Sequence, residues 1–197
     1  MARPRGFDPD HALEQATQAF WAKGFENTSL DELCEATGLG RSSLYAAFGD
    51  KRALYLRALE RYEEATAARI AAALAVAPVR RAVERFLRGM VDDIVAGPGR
   101  RGCFIGNCAA EMARLDRGAA ARVRASLARI EGAFREGLDK ARARGELSAG
   151  ADTTALARFL TAGIQGLRLV GKANPDRAAL NDITRMLLCC LDFQGED

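Results

Sequence analysis

The run from Ser29 to Lys51, SLDELCEATGLGRSSLYAAFGDK, constrains this chain more than any other feature, because it specifies two short helices across a tight turn. Ser29 and Glu32 form an S-x-x-E capping box, in which side chain and backbone satisfy each other's unpaired groups at a helix start. Leu30, Leu33 and Cys34 give that helix an apolar stripe. Gly38 ends it, since a residue without Cβ enters the left-handed region at no steric cost. After Leu39 and Gly40 a second helix is expected from Arg41 to about Phe48. There Leu44, Ala47 and Phe48 share an inward face, while Arg41, Ser42, Ser43 and Tyr45 point away and can donate to phosphates or base edges. Two short helices joined by a glycine-containing turn place the second in a DNA major groove. The expectation is a DNA-binding regulator.

Charge bounds the mode of binding. The 197 residues carry a net charge of only +3, so the chain is no histone-like polycation. Residues 1–61 hold eight Lys and Arg against nine Asp and Glu, a local net of −1. Placement compensates, because Arg41, Lys51 and Arg52 gather around the second helix of the motif. Arg3 and Arg5 in the opening MARPRGF read either as a groove-binding arm or as a solvated tail. No apolar run approaches the roughly 18 residues of a membrane helix, and no signal-peptide core precedes the first helix, so a cytoplasmic protein without membrane contact is expected. The five cysteines (Cys34, Cys103, Cys108, Cys189 and Cys190) lack the even count of a disulfide framework, which points to reduced thiols.

The rest of the chain reads as helices and short breakers. A first helix opens at Asp8-Pro9, carries Leu13, Ala16, Phe20 and Trp21 inward, and ends at Gly24. A long helix runs from Asp50 to about Val76, before Pro78. Further helices are expected over Val79–Ala96, Cys103–Leu115, Ala119–Arg144, Thr153–Lys172 and Pro175–Phe193, with GPGRRG and ARGELSAGAD as loops. The fold class is all-α: a three-helix head over residues 1–50, joined by the long helix to a larger body over residues 51–197.

The stretch from Phe20 to Lys51 resembles the signature of the TetR family of transcriptional regulators. The matching features are the aromatic pair Phe20-Trp21, Gly24-Phe25, Thr28-Ser29, Gly38-Leu39, and Leu44-Tyr45 followed by Phe48 and Lys51. The likeness covers about the first quarter of the chain, the remainder agreeing in length and helical character. Cys34 stands where the family usually has Ala, and Ala46 and Ala47 where many members carry large side chains, which removes possible base contacts. The resemblance implies a homodimer on a palindromic double-stranded operator. Thr28, Ser29, Tyr45 and Lys51 would then hold the backbone, with Arg41, Ser42 and Ser43 near the bases. It implies repression relieved by an unidentified small-molecule effector, although activation uses the same mechanics. It also implies dimerisation through the last two helices, with Phe159, Gly163, Leu167, Ile183, Leu187 and Cys190 as interface candidates. On periodicity alone these stripes read equally as core.

GCFIGNCAAEM, residues 102–112, is the least ordinary chemistry outside the head. Cys103 is expected at a helix start beside Arg100 and Arg101, features that favour the thiolate. The segment is similar to the sixth helix of TetR-like regulators that respond to electrophiles. Three readings stay open: a reactive thiol at Cys103, a polar pocket in which Phe104, Asn107, Cys108 and Glu111 surround a ligand, or plain packing of small apolar cysteines. The single histidine, His11, cannot build a triad or a multi-histidine metal site, and phosphate-loop and CxxC motifs are missing. No enzyme activity, cofactor or metal is expected. The alternative from another class is an all-helical enzyme or small-molecule-binding protein without an operator.

Overall fold

Six helix starts are fixed by a side chain that accepts a backbone N–H of the first turn: Asp8, Ser29, Asp50, Asp116, Asp152 and Asp176. The computed structural model describes residues 7–76 and 78–192. Within them lie α1 (Pro9–Lys23), α2 (Leu30–Thr37), α3 (Arg41–Phe48), α4 (Lys51–Leu74), α5 (Val79–Ala96), α6 (Phe104–Glu111), α7 (Arg117–Ala143), α8 (Thr153–Ala173) and α9 (Arg177–Cys189), with no strand among the described residues. Arg3 and Arg5 lie outside the described residues. No described helix is long and apolar enough to cross a membrane.

The capping box is complete: the Ser29 hydroxyl accepts from the Glu32 N–H, and the Glu32 carboxylate accepts from the Ser29 N–H at 2.7 Å. Gly38 closes α2 in the left-handed region, at φ 68°. Phe20, Leu33, Leu44 and Phe48 fill the head between α1, α2, α3 and the start of α4. Each such side chain contributes roughly 1.5–3 kcal/mol by leaving water. Leu30, Cys34 and Ala47 are half-buried at its edge.

In the body, α4 lies along α7, α5 and α8 pack against them, and α9 packs on α5 and α8. Glu63 of α4, buried in that seam, accepts from Ser126 and pairs with Arg129 at 3.2 Å. The helix expected over Cys103–Leu115 spans only Phe104–Glu111. The expected GPGRRG loop contains a 3-10 turn at Pro98–Arg101, and the last helix stops at Cys189 rather than Phe193. Tyr55 of α4 sits at the junction of the two parts. Its ring meets Phe20 and Phe25 of the head edge-on at 5.0 and 5.2 Å, and Phe104 of α6 at 5.2 Å.

Candidate DNA interface and its link to the body

The inward residues of α3, Leu44 and Phe48, are buried, so the outer face of the helix is fixed by packing. Arg41, Ser42, Ser43 and Tyr45 are all exposed on it, Tyr45 at 46%. Arg41 is held by Asp31 of α2 through Nε at 3.1 Å and Nη2 at 2.5 Å. The Lys51 ammonium sits 4.5 Å from the centre of the Phe25 ring, at the N-terminus of α4. Ser29 is exposed. Two expectations change. Thr28 is fully buried, its hydroxyl donating to the Gly24 carbonyl at 2.6 Å, so this side chain shapes the turn and is withdrawn from the surface. Arg52 does not join the cationic group beside α3 but pairs with Asp116, ahead of α7.

Charged side chains bolt the head to the body. The Glu111 carboxylate, at the end of α6, accepts from the backbone N–H groups of Phe25 and Glu26 at 3.0 and 2.9 Å. Gly24 makes this possible: at φ 83° it adopts a conformation that favours glycine, and a Cβ there would lie 2.8 Å from Glu111 Oε2. Trp21 Nε1 donates to the Gly102 carbonyl at 3.1 Å, and Arg101 lies over the Trp21 ring while donating to Gln18 Oε1 at 2.7 Å. Trp21 thus reaches out of the head, where sequence placed it in the core. Arg61 pairs with Glu14 at 2.7 Å.

These contacts revise the expected sensor segment. Glu111 faces the head, its carboxylate engaged by the Phe25 and Glu26 N–H groups. Phe104 is wholly buried between Tyr55 and Tyr62. The Asn107 amide is consumed structurally, donating to the Arg101 carbonyl at 2.9 Å and accepting from Lys172 at 3.2 Å. Cys108 is fully buried, and burial pushes its thiol up, away from the thiolate. Cys103 is the N-cap of α6 and nearly buried. The cation connected to it is not Arg101, which is turned to Trp21, but Arg168 of α8. Arg168 Nη1 donates to the Tyr62 hydroxyl at 2.9 Å, and that hydroxyl donates to Cys103 Sγ at 3.9 Å. Burial raises the Tyr62 hydroxyl well above the usual phenol range, so it stays protonated and remains the donor. Sequence offered no signal for Arg168 or Tyr62, which lie 106 positions apart.

On the last two helices the expected interface divides. Leu167 and Leu187 are buried within the chain, and a Cβ at Gly163 would lie 2.2 Å from Leu187 Cδ2, so Gly163 and Leu187 join α8 to α9 in one protomer. Ile183 and Cys190 are half-buried. Phe159 is 49% exposed, and Leu169, Val170 and Met186 are also exposed on the same pair of helices.

An all-helical chain with a capped helix-turn-helix head, bolted to a larger helical body, defines a DNA-binding transcriptional regulator. The comparisons with known proteins specify which. Residues 12–58 match the family described as "Bacterial regulatory proteins, tetR family", and residues 75–187 match "Tetracyclin repressor-like, C-terminal domain". The chain belongs to the TetR family of transcriptional regulators. It is 33% identical over 195 residues to the HTH-type transcriptional regulator YezE of Bacillus subtilis (strain 168), covering 98% of this chain and 100% of that one. It is 33% identical to the HTH-type transcriptional repressor ComR of Escherichia coli (strain K12), covering 85% and 80%. A cysteine mutant of the TetR family transcriptional regulator CifR, solved in complex with 26bp double-strand operator DNA, superposes with a TM-score of 0.80 at 32% identity over 95% of this chain and 98% of that one.

Proposed function

We propose that the protein is a repressor that binds a palindromic operator as a homodimer and is released by a small-molecule effector or by modification of a cysteine. In this reading residues 1–50 form the DNA-binding unit and residues 51–197 the sensing and dimerising unit. Arg41, Ser42 and Ser43 meet base edges, while Ser29, Tyr45 and Lys51 hold phosphates. The exposed apolar residues Phe159, Leu169, Val170 and Met186 pair with those of a second copy, setting two heads about one helical turn apart. One observation carries the regulated reading. The carboxylate of Glu111 grips the head backbone from the same short helix whose other end is the buried thiol of Cys103, so a shift of α6 reaches the head directly. Modification of Cys103 is the second route: its sulfur accepts from the Tyr62 hydroxyl that Arg168 holds, so a group added there displaces that contact at the start of α6.

The test is selection of binding sites from random duplexes with the full-length protein, followed by affinity and mass measurements on the complex. A palindromic site bound by two copies, weakening steeply with salt, is the expected result. A monomer, or equal affinity for every duplex, refutes the reading. Loss of DNA release by oxidants in Cys103→Ser is expected for the thiol route, and full retention moves that route elsewhere.

A further inference from the structure

Arg168 is a cation nine-tenths buried, and both of its hydrogen-bond partners are neutral. Its Nη1 donates to the Tyr62 hydroxyl and, at 3.3 Å, to the Gly102 carbonyl. Neither carries a charge to balance the guanidinium. Burying an ion without a partner is costly, and proteins ordinarily supply a carboxylate for it. Here Nε and Nη2 have no partner among the described residues, and Arg168 lines a cleft of about 240 Å³ between α1, α5 and the Pro98–Arg101 turn. Two further guanidinium groups, Arg69 and Arg101, line the same cleft, against one carboxylate, Asp93. Its remaining wall is largely apolar, with Trp21, Met90 and Ile94.

The free edge of Arg168 is the side-on fork that binds a carboxylate through two parallel hydrogen bonds. The same protein uses that edge elsewhere: Nε and Nη2 together hold Asp31 from Arg41, Asp116 from Arg52 and Asp192 from Arg80. At Arg168, a residue nine-tenths buried, the fork edge opens on the cleft with no carboxylate on it among the described residues. We infer that this cleft is a binding site for a small organic carboxylate whose two oxygens bridge Nε and Nη2 of Arg168 and whose apolar part lies against Trp21, Met90 and Ile94.

The site spans the junction that the regulator must control. Gln18 and Trp21 belong to the head, while Ile94, Arg101 and Arg168 belong to the body. Arg101 and Arg168 at present hold both parts together, the first through Gln18 and the second through the Gly102 carbonyl that also accepts from Trp21. A carboxylate bridging Nε and Nη2 of Arg168 leaves its Nη1 bonds in place, but it draws the neighbouring Arg101 guanidinium from Gln18 and so loosens the head. Identifying this carboxylate as the effector rests on the proposal above that a small molecule releases the operator.

Trp21 is the chain's single tryptophan, so tryptophan fluorescence reports on the surroundings of this one side chain in the cleft wall. The full-length protein is titrated with a panel of monocarboxylates from acetate through hexanoate to benzoate, and with the matching uncharged amides. Operator affinity is measured on the same preparation. At least one acid should give a saturable change with a Kd of about 1 mM or tighter, its amide should give none, and Arg168→Gln should weaken binding about tenfold or more. If Arg168→Gln does not fold, Arg69→Gln, at an exposed position, should weaken it about threefold or more. Failure of every acid to saturate, in a preparation that still binds operator, overturns the site and leaves the regulator reading intact. Saturable binding with unchanged operator affinity overturns its role as effector site. Binding of the acid by a preparation that binds no duplex refutes the regulator reading and leaves the site standing.

Discussion

Glu111→Ala separates a helix that signals to the DNA-binding head from one that merely packs against it. The substitution removes the acceptor of two backbone N–H groups, those of Phe25 and Glu26. A hydrogen bond to a charged group contributes about 1.5–3 kcal/mol when shielded. The Glu26 N–H is exposed and finds water instead, so most of the loss falls on the partly buried Phe25 N–H. Together they come to about 2 kcal/mol, a roughly 30-fold fall in the ratio of docked to undocked heads. In a protein of this size that lowers the melting temperature by about 4–8 °C. The distinctive consequence concerns spacing. In the proposed dimer a docked head fixes the separation of the two recognition helices, and inserting one base pair between half-sites moves them about 3.4 Å apart along the axis. Fluorescence anisotropy with labelled duplexes, the native site against sites with one base pair added or removed, should show strong discrimination by the wild type. Glu111→Ala should bind the native site more weakly and discriminate about tenfold less. Glu111→Gln, which keeps a neutral acceptor oxygen, should fall between them. A variant with a lowered melting temperature but unchanged spacing discrimination would show that Glu111 is only a staple.

The other expectations are narrower. Gly24→Ala forces a Cβ to within 2.8 Å of Glu111 Oε2 at φ 83° and should lose about 1–3 kcal/mol in denaturant unfolding, partly recovered in the Glu111→Ala background; equal losses in both would place the strain in the backbone alone. Tyr45→Ala should weaken operator binding about three- to tenfold with sedimentation unchanged, and unaltered affinity removes Tyr45 from the contact set. Leu169→Glu, at an exposed apolar position of α8, should yield folded monomers in ultracentrifugation; a persistent dimer moves the interface elsewhere. The bond from Lys23, then those from Ser29, pull the Glu32 carboxyl from its ordinary 4.5 down to about 2. Its stabilising effect is present above pH 4.5 and disappears as pH falls toward 2, so Glu32→Gln should unfold with a shallower acid slope in that window. An identical slope would remove Glu32 from the acid response.

The local signals in the sequence were the dependable ones. The Ser29–Glu32 box, Gly38 and the inward spacing of Leu44 and Phe48 depend on residues within a few positions of one another, and the helix-turn-helix follows from them. The seam between α8 and α9 was less legible. Periodicity identifies an apolar face, but α8 has two, and nothing local tells that Leu167 turns inward while Leu169 stays exposed. The links between head and body were not legible at all. Glu111 meets Phe25 across 86 positions, and Trp21 meets Gly102 across 81. Each residue has an ordinary local role, as a helix-ending acid or a core aromatic, and only the tertiary placement of the α6 segment against the end of α1 and the turn after it gives it another.

The ion pair between Arg41 and Asp31 bears on how the protein finds its site in a genome. Lys23 is bound to Glu32 and Arg52 to Asp116 in the same way, within a head region whose formal charge is −1 over residues 1–61. Random duplex is held almost entirely by unscreened cations that displace counterions, and here several cations are already occupied. In the proposed binding mode Arg41 leaves Asp31 to reach a base, an exchange that a well-matched sequence compensates. Sliding encounters are therefore brief, and the vast excess of irrelevant DNA sequesters little of the protein.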